Sequence, residues 1–273
     1  IPSDANARAI LRSGKGTSLW AALERVADGR AQACVSAGNT VALMTLGVKL
    51  VGRLTGIKRP ALMSHFPTSG GTVGMLDLGA NLNVDAHMLF QFALMGALVR
   101  ARHDGAGRHP TIGLLNVGHE DSKGLDVLRE AHEMLKSSDL AYKGFIEGHD
   151  IYSGTVQLAV CDGFAGNLIL KASEGLAGML FEEFRQALSS DTRSRLGAWL
   201  ARPALRRMLA RLDPDKHNGA PLLGLQGVVV KSHGRSDIRA TKYAILEAAR
   251  EVERNIPELI ARTIREHGAE DLT

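Results

Sequence analysis

Cysteine is almost absent: of 273 residues only Cys34 and Cys161 carry a thiol. No Cys/His spacing in the chain resembles a zinc site, so no structural metal is expected. Both thiols fall in apolar runs that predict buried strands, which fits a reducing, cytoplasmic setting. Long hydrophobic runs are missing too. Nothing approaches the roughly 18 consecutive apolar residues of a membrane-spanning helix, and the N-terminus lacks the form of a signal peptide. One-sided charge is also weak. A net charge of +4 and a pI near 9.2 permit anionic partners, but nucleic acid is not expected. Nor is there a dinucleotide fingerprint: the glycines at 70, 71 and 74 precede an apolar run that reads as a strand, whereas a nucleotide-binding turn opens a helix. The chain begins Ile1-Pro2 without Met, and the expectation is that an upstream segment is missing.

What is present is an ordinary globular balance, 45% hydrophobic and 23% charged residues, in a chain long enough for one large α/β domain or two smaller ones. The stretch VQLAVCDGFAGNLILKASEGLAGMLFEEF, residues 156–184, organises the rest. Its apolar run ends in Cys161 and Asp162, breaks at Gly163-Phe164-Ala165-Gly166-Asn167, and resumes at helical spacing. Strand, glycine-rich turn and helix follow in that order. Such a turn leaves backbone N–H groups at a helix N-terminus, where the peptide dipoles favour a phosphate or an oxyanion.

The plan recurs. Ala33–Ser36 leads into Ala37-Gly38-Asn39-Thr40 and a helical run, 42–54. Residues 75–78 lead into Gly79-Ala80-Asn81 and a helical run, 88–100. Residues 112–117 lead into Gly118-His119-Glu120-Asp121-Ser122-Lys123-Gly124 and a further helix. Each unit places Gly with Asn or a charged residue at the C-terminal end of a strand, the edge where open α/β sheets gather ligands.

Between these units, Thr17 or Ser18 is expected to cap a helix over 19–27, with Trp20 in its first turn as a packing residue or surface anchor. Residues 59–66 and 72–78 predict a hairpin, which makes the sheet mixed. Residues 101–110 read as a loop in which His103 and His109 are solvated. A strand over 141–147 precedes Gly148-His149-Asp150. Thr192–Leu212 carries six arginines and no acid, interleaved with Leu196, Trp199 and Leu200. It suits either an anionic membrane surface or the face of a partner subunit. Residues 213–225 read as a loop, 227–232 as a strand ending at His233, and two helical stretches close the chain.

Six motifs carry a resemblance: ACVSAGNT at 33–40, LDLGAN at 76–81, LLNVG at 114–118 with Lys123-Gly124 following, VCDGFAGN at 160–167, NGAPLLGL at 218–225 and VVVKSHG at 228–234. In this order they resemble the bacterial phosphate acyltransferases of the PlsX type, over nearly the whole chain. The resemblance implies an α/β fold with a mixed, mostly parallel sheet flanked by helices, like isocitrate and isopropylmalate dehydrogenases, with a protruding helical hairpin. The expected organisation is a single α/β domain over 1–273, lacking the family's N-terminal Asp-x-Met-Gly-Gly-Asp segment, with the hairpin inserted at about 171–217.

It further implies transfer of a fatty acyl group from acyl-acyl carrier protein to inorganic phosphate, a homodimer, and hand-over of acyl phosphate to a membrane glycerol-3-phosphate acyltransferase. No cofactor or metal is expected. The family's active-site lysine and asparagine fall on Lys123 and Asn167. Substrate or phosphate contacts are expected at Ser36, Gly38, Asn39, Thr40, Asp77, Asn81, Asp162, Gly163, Gly166 and His233, with the amides of residues 163–166 donating to an anion. Peripheral association with the inner face of the cell membrane falls on Leu196, Trp199, Leu200, Arg206 and Arg207.

Val41 stands where the family usually has Gly, Trp20 replaces an arginine, and His119 stands where Glu is more common. Three rival readings accompany this one. They are a nicotinamide-dependent dehydrogenase on a related fold, an enzyme using Cys161 as a transient acyl carrier, and a non-catalytic membrane scaffold built on the arginine-rich stretch.

Overall fold

In the computed structural model, residues 6–103, 109–234 and 236–266 are described. Among the described residues eight strands are interleaved with helices, except that β3 follows β2 and β8 follows β7 directly: β1 (Ala33–Ser36), β2 (Ala61–Thr68), β3 (Gly71–Leu76), β4 (Ile112–Leu115), β5 (Tyr142–Ile146), β6 (Leu158–Val160), β7 (Ala220–Leu223) and β8 (Val228–Lys231). The helices are α1 (Ala7–Ser13), α2 (Ser18–Ala27), α3 (Thr40–Leu50), α4 (Ala86–His103), α5 (Asp126–Lys136), α6 (Asp150–Ser153), α7 (Gly163–Ser189), α8 (Thr192–Leu212), α9 (Ile238–Glu253) and α10 (Ile256–Glu266). Asn or Asp side chains cap the first turns of α1, α3, α7, α8 and α9, and Thr17 caps α2 as its position predicted.

The strands form one mixed sheet in the order β1-β8-β7-β2-β3-β6-β4-β5. β2 and β3 are the antiparallel hairpin read from the sequence, with Met63 opposite Leu76 and Thr68 opposite Gly71. Residues 213–225, read as a loop, instead contain a 3-10 turn at Pro214–His217 and β7, which pairs antiparallel with both β2 and β8. At four residues, with a proline second, β7 falls below what periodicity detects.

This strand changes the polarity of the sheet. Passing from β8 through β7 and β2 to β3 crosses three antiparallel pairs, so β1 and β8 run opposite to β3, β6, β4 and β5. The four glycine loops therefore do not leave one edge: those after β3, β4 and β6 share an edge, and the one after β1 leaves the other.

Both faces are covered. Phe92, Met95, Ile112, Leu158, Val160 and Ile260 lie in one core cluster. Leu23, Leu43, Leu46, Met75, Ala159 and Cys161 lie in another. Leu158, Ala159, Val160 and Cys161 thus alternate between the two faces, as a strand period of two requires. A sheet buried on both sides is why its strands appear as continuous apolar runs. α4 lies under this sheet, and residues as varied as Gln91 and Arg100 are buried along it. Trp20 joins the second core cluster and donates its indole N–H toward Glu24 at 3.4 Å, so it packs. Val41 sits in α3, and among the described residues Asn255 is the non-glycine with positive φ, so the valine carries no backbone strain.

Candidate active site

The three-loop edge is built around Asp77. Its side chain is fully buried, with Oδ1 accepting from the amides of Leu62 at 2.9 Å and Ala80 at 3.1 Å, and Oδ2 accepting from Asn81 N at 2.6 Å and Asn81 Nδ2 at 3.0 Å. Burial pushes this carboxyl up, against hydrogen bonds that favour the anion. Asn81 Nδ2 also donates to Pro60 O at 2.8 Å. Asp77 and Asn81, expected as substrate contacts, are thus 0% and 3% exposed and hold the loop in shape.

The N-terminus of α7 is seated on that loop. Gly163 N donates to Asn81 O at 2.7 Å, and a Cβ on Gly166 would stand 1.9 Å from Asp77 O. Asp162 caps the helix by accepting from Ala165 N at 2.7 Å, and Gly166 N donates to Asp162 O at 3.0 Å. The expectation that residues 163–166 offer four amides to an anion is therefore corrected. Three are already satisfied, and the Asp162 carboxylate occupies the place an anion would take. Phe164 N has no hydrogen-bond partner among the described residues. Asn167 is exposed beside Gly79, whose positive φ turns the loop toward it, and its side-chain amide makes no hydrogen bond among the described residues.

β4 neighbours β6 in the sheet, so its following loop lies on the same edge. Asn116 anchors that loop by donating to Lys123 O at 3.1 Å. Lys123 is exposed, with Nζ 2.8 Å from the Glu120 carboxylate. Glu120 raises the lysine's pKa, so the amine is fully cationic at neutral pH. Lys123 and Asn167 thus share one edge on adjacent strands, without a direct contact.

The loops after β1 and β8 meet at the other edge. Ser232 N donates to Ser36 O at 2.9 Å, and Gly234 faces Ala37 O. Ser36 Oγ accepts from Gly38 N at 3.2 Å, and Asn39 caps α3 through Ala42 N at 2.9 Å, directly before Thr40. Asn218 ties this region together: its Oδ1 accepts from His233 N at 3.0 Å, and its Nδ2 donates to Ser232 Oγ at 2.9 Å. α7 spans the two edges. Starting at Asn81, it reaches His233, whose Nε2 lies 3.8 Å from the Glu174 carboxylate, while Glu174 also pairs with Lys171 at 2.7 Å. Lys231 is pushed down in pKa by burial and by Lys171. The predicted residues therefore fall into two groups, bridged by one helix. Sequence reasoning missed Lys171, Glu174 and Lys231; a lysine directly before Ser232-His233 was the available signal.

α8 follows α7 after Ser190 and Asp191, and the two helices touch. None of its residues is buried, and Leu196, Trp199 and Leu200 are 60%, 66% and 67% exposed. No helix among the described residues is long and apolar enough to cross a membrane.

Known proteins place these features in a family. The family model described as "Fatty acid synthesis protein" matches residues 1–259. The phosphate acyltransferase of Caulobacter vibrioides is 45% identical over 271 residues, covering 96% of this chain and 75% of that protein. That of Photobacterium profundum is 48% identical over 259 residues, covering 94% and 75%. Among solved structures, a phosphotransacetylase from Streptococcus pyogenes superposes with a TM-score of 0.57 at 21% identity, over 92% of this chain and 75% of that one, a likeness of fold. By the extent of the family match and the identity to these relatives, the chain belongs to the fatty acid synthesis protein family, in which they are phosphate acyltransferases.

Proposed function

We propose that the chain transfers a fatty acyl group from an acyl-acyl carrier protein thioester to inorganic phosphate. The acyl phosphate formed passes to a membrane glycerol-3-phosphate acyltransferase. A phosphate oxygen attacks the thioester carbonyl, a tetrahedral oxyanion forms, and its collapse expels the carrier thiolate. Phosphate is the nucleophile, so the protein's task is to hold a dianion against the carbonyl and stabilise the oxyanion. Lys123 neutralises phosphate charge after leaving Glu120, and Asn167 donates to phosphate or oxyanion.

The observation that carries this reading is the exposed Asn167 amide, without a partner among the described residues, one strand from a cationic Lys123. Ser36, Gly38, Asn39, Thr40 and His233, beside Lys231 and Lys171, suit a second anionic group of the substrates. The sheet is of the isocitrate dehydrogenase type in this reading. The chain is one domain whose α7 and α8 extend as a helical hairpin toward the membrane, and it works as a homodimer.

The rivals find less support. Cys161 is 1% exposed and burial holds its thiol well above the usual range, which suits no acyl carrier. Gly70, Gly71 and Gly74 lie in the β2–β3 hairpin, where no helix N-terminus meets a pyrophosphate.

The test incubates the chain with acyl-acyl carrier protein, with and without phosphate, and traps acyl phosphate with hydroxylamine. Phosphate-dependent acyl hydroxamate is expected. Lys123→Ala or Asn167→Ala should each cut it at least tenfold while leaving thermal unfolding unchanged, since one lost oxyanion donor costs about 3 kcal/mol of barrier. Near-normal rates in both variants overturn the site, and no hydroxamate from the parent chain favours the scaffold.

A further inference from the structure

Beyond the Lys123 loop, on the edge strand β5, two histidines converge on two carboxylates. Asp150 lies between them. His119 Nε2 is 3.4 Å from its Oδ2, and His149 Nε2 is 3.5 Å from its Oδ1. One ligand atom from each of His119, His149 and Asp150 can be chosen so that all lie within 4.8 Å of one another. Glu147 is close to both rings, at 3.9 Å from His119 Nε2 and 3.7 Å from His149 Nδ1.

We propose that His119, His149 and Asp150 form a binding site for a divalent transition-metal ion of the zinc type, with Glu147 and water completing the shell. Two ligands bound tetrahedrally at roughly 2.0 to 2.1 Å from zinc lie about 3.4 Å apart; each histidine stands at about that separation from one oxygen of Asp150, His119 from Oδ2 and His149 from Oδ1. A second, independent feature is the way His119 is held. Its Nδ1 stands 3.0 Å from Phe145 O. A carbonyl only accepts, so Nδ1 carries the hydrogen, and the neutral ring then turns the bare lone pair of Nε2 toward Asp150. Fixing a ring by a backbone carbonyl at one nitrogen, which leaves the other free for a cation, is how metal-ligating histidines are oriented. Asp150 is positioned as well, since its Oδ2 accepts from Glu147 N at 2.8 Å. The rings themselves are open to solvent, which leaves space for an ion and its waters.

The occupied site would clamp the loop after β4, which carries His119 and Lys123, to the loop after β5, which carries His149. It does not depend on the proposed reaction, and its failure leaves that reading untouched. The test strips the full chain with EDTA and titrates zinc ion against a chromophoric chelator, with cobalt ion as a spectroscopic substitute.

One saturable equivalent is expected, with tetrahedral cobalt absorption bands and a zinc-dependent rise in Tm. His149→Ala and Asp150→Asn should weaken binding at least tenfold and remove the rise. The histidine ring is exposed, and the asparagine keeps an acceptor for Glu147 N, so both variants retain the apo fold. His109→Ala should bind as the parent does. Absence of a saturable equivalent, or unchanged binding in both His149→Ala and Asp150→Asn, overturns the site.

Discussion

At the scale of single residues, glycine separates the first turn of α7 from its middle. Gly166 is pressed against the Asp77 carbonyl, where an added Cβ would stand 1.9 Å from backbone oxygen, whereas Gly175 has nothing within 4 Å of its Cβ position. Gly166→Ala is expected to lower the urea-unfolding free energy by about 3 kcal/mol, because the helix must lift off the loop to relieve the overlap. Gly175→Ala should raise it by about 0.5 to 1 kcal/mol, since alanine is the better helix former and the site is open. Equal effects would show that α7 is not seated as described. The candidate residues were legible to a matching degree. Lys123 and Asn167 stand in motifs at strand ends, and each is exposed. Which amides beside Asn167 stay available was not legible: Gly163 N is taken by Asn81 O, a group 82 residues earlier in the chain.

At the scale of elements, α8 is the exception to core-driven folding. Helices such as α3 and α10 bury one stripe, but α8 has a helical alternation of arginines and apolar residues and no buried residue at all. Leu196, Trp199 and Leu200 stand exposed on it, which supports contact with an anionic membrane surface. Trp199→Ala or Leu200→Ala should weaken sedimentation with anionic phosphatidylglycerol vesicles about tenfold, at about 1.5 kcal/mol or more per side chain inserted. Raising ionic strength should weaken the parent chain as well, through Arg206, Arg207 and their neighbours. Binding indifferent to both changes would assign the helix to a protein partner. The helix itself was plain from its period, whereas β7 was not, because four residues with a proline give no periodic signal.

At the scale of the whole molecule, α9 carries a carboxyl that folding keeps from water. Glu251 is 2% exposed beside Pro221 and Ile260, its Oε1 has no partner among the described residues, and burial together with Glu247 pushes its pKa up to about 8. A carboxyl raised above its unfolded value favours the fold when protonated. That contribution is complete below the ordinary carboxylate range near pH 4.5, and is lost as pH rises through about 8. Stability followed by Tm should therefore fall between pH 5 and 8.5, and Glu251→Gln should flatten the fall and be the more stable protein at pH 8.5. A parallel pH dependence in both proteins would place the titrating group elsewhere.

The sequence by itself determined the family and the elements other than such short ones as β7. Apolar periodicity, Asn and Asp caps and six ordered motifs depend only on residues near one another in the chain, so they survive without coordinates. The tertiary structure decided how those elements face one another. Three antiparallel pairings, β8–β7, β7–β2 and β2–β3, turn β1 and β8 against the other parallel strands, which puts Ser36 and Lys123 on different edges and leaves α7 to connect them. The same long-range packing brings His149 to His119 across two loops and removes Asp77 from solvent. Strand direction and burial depend on pairings between distant segments, and local periodicity carries no record of those partners.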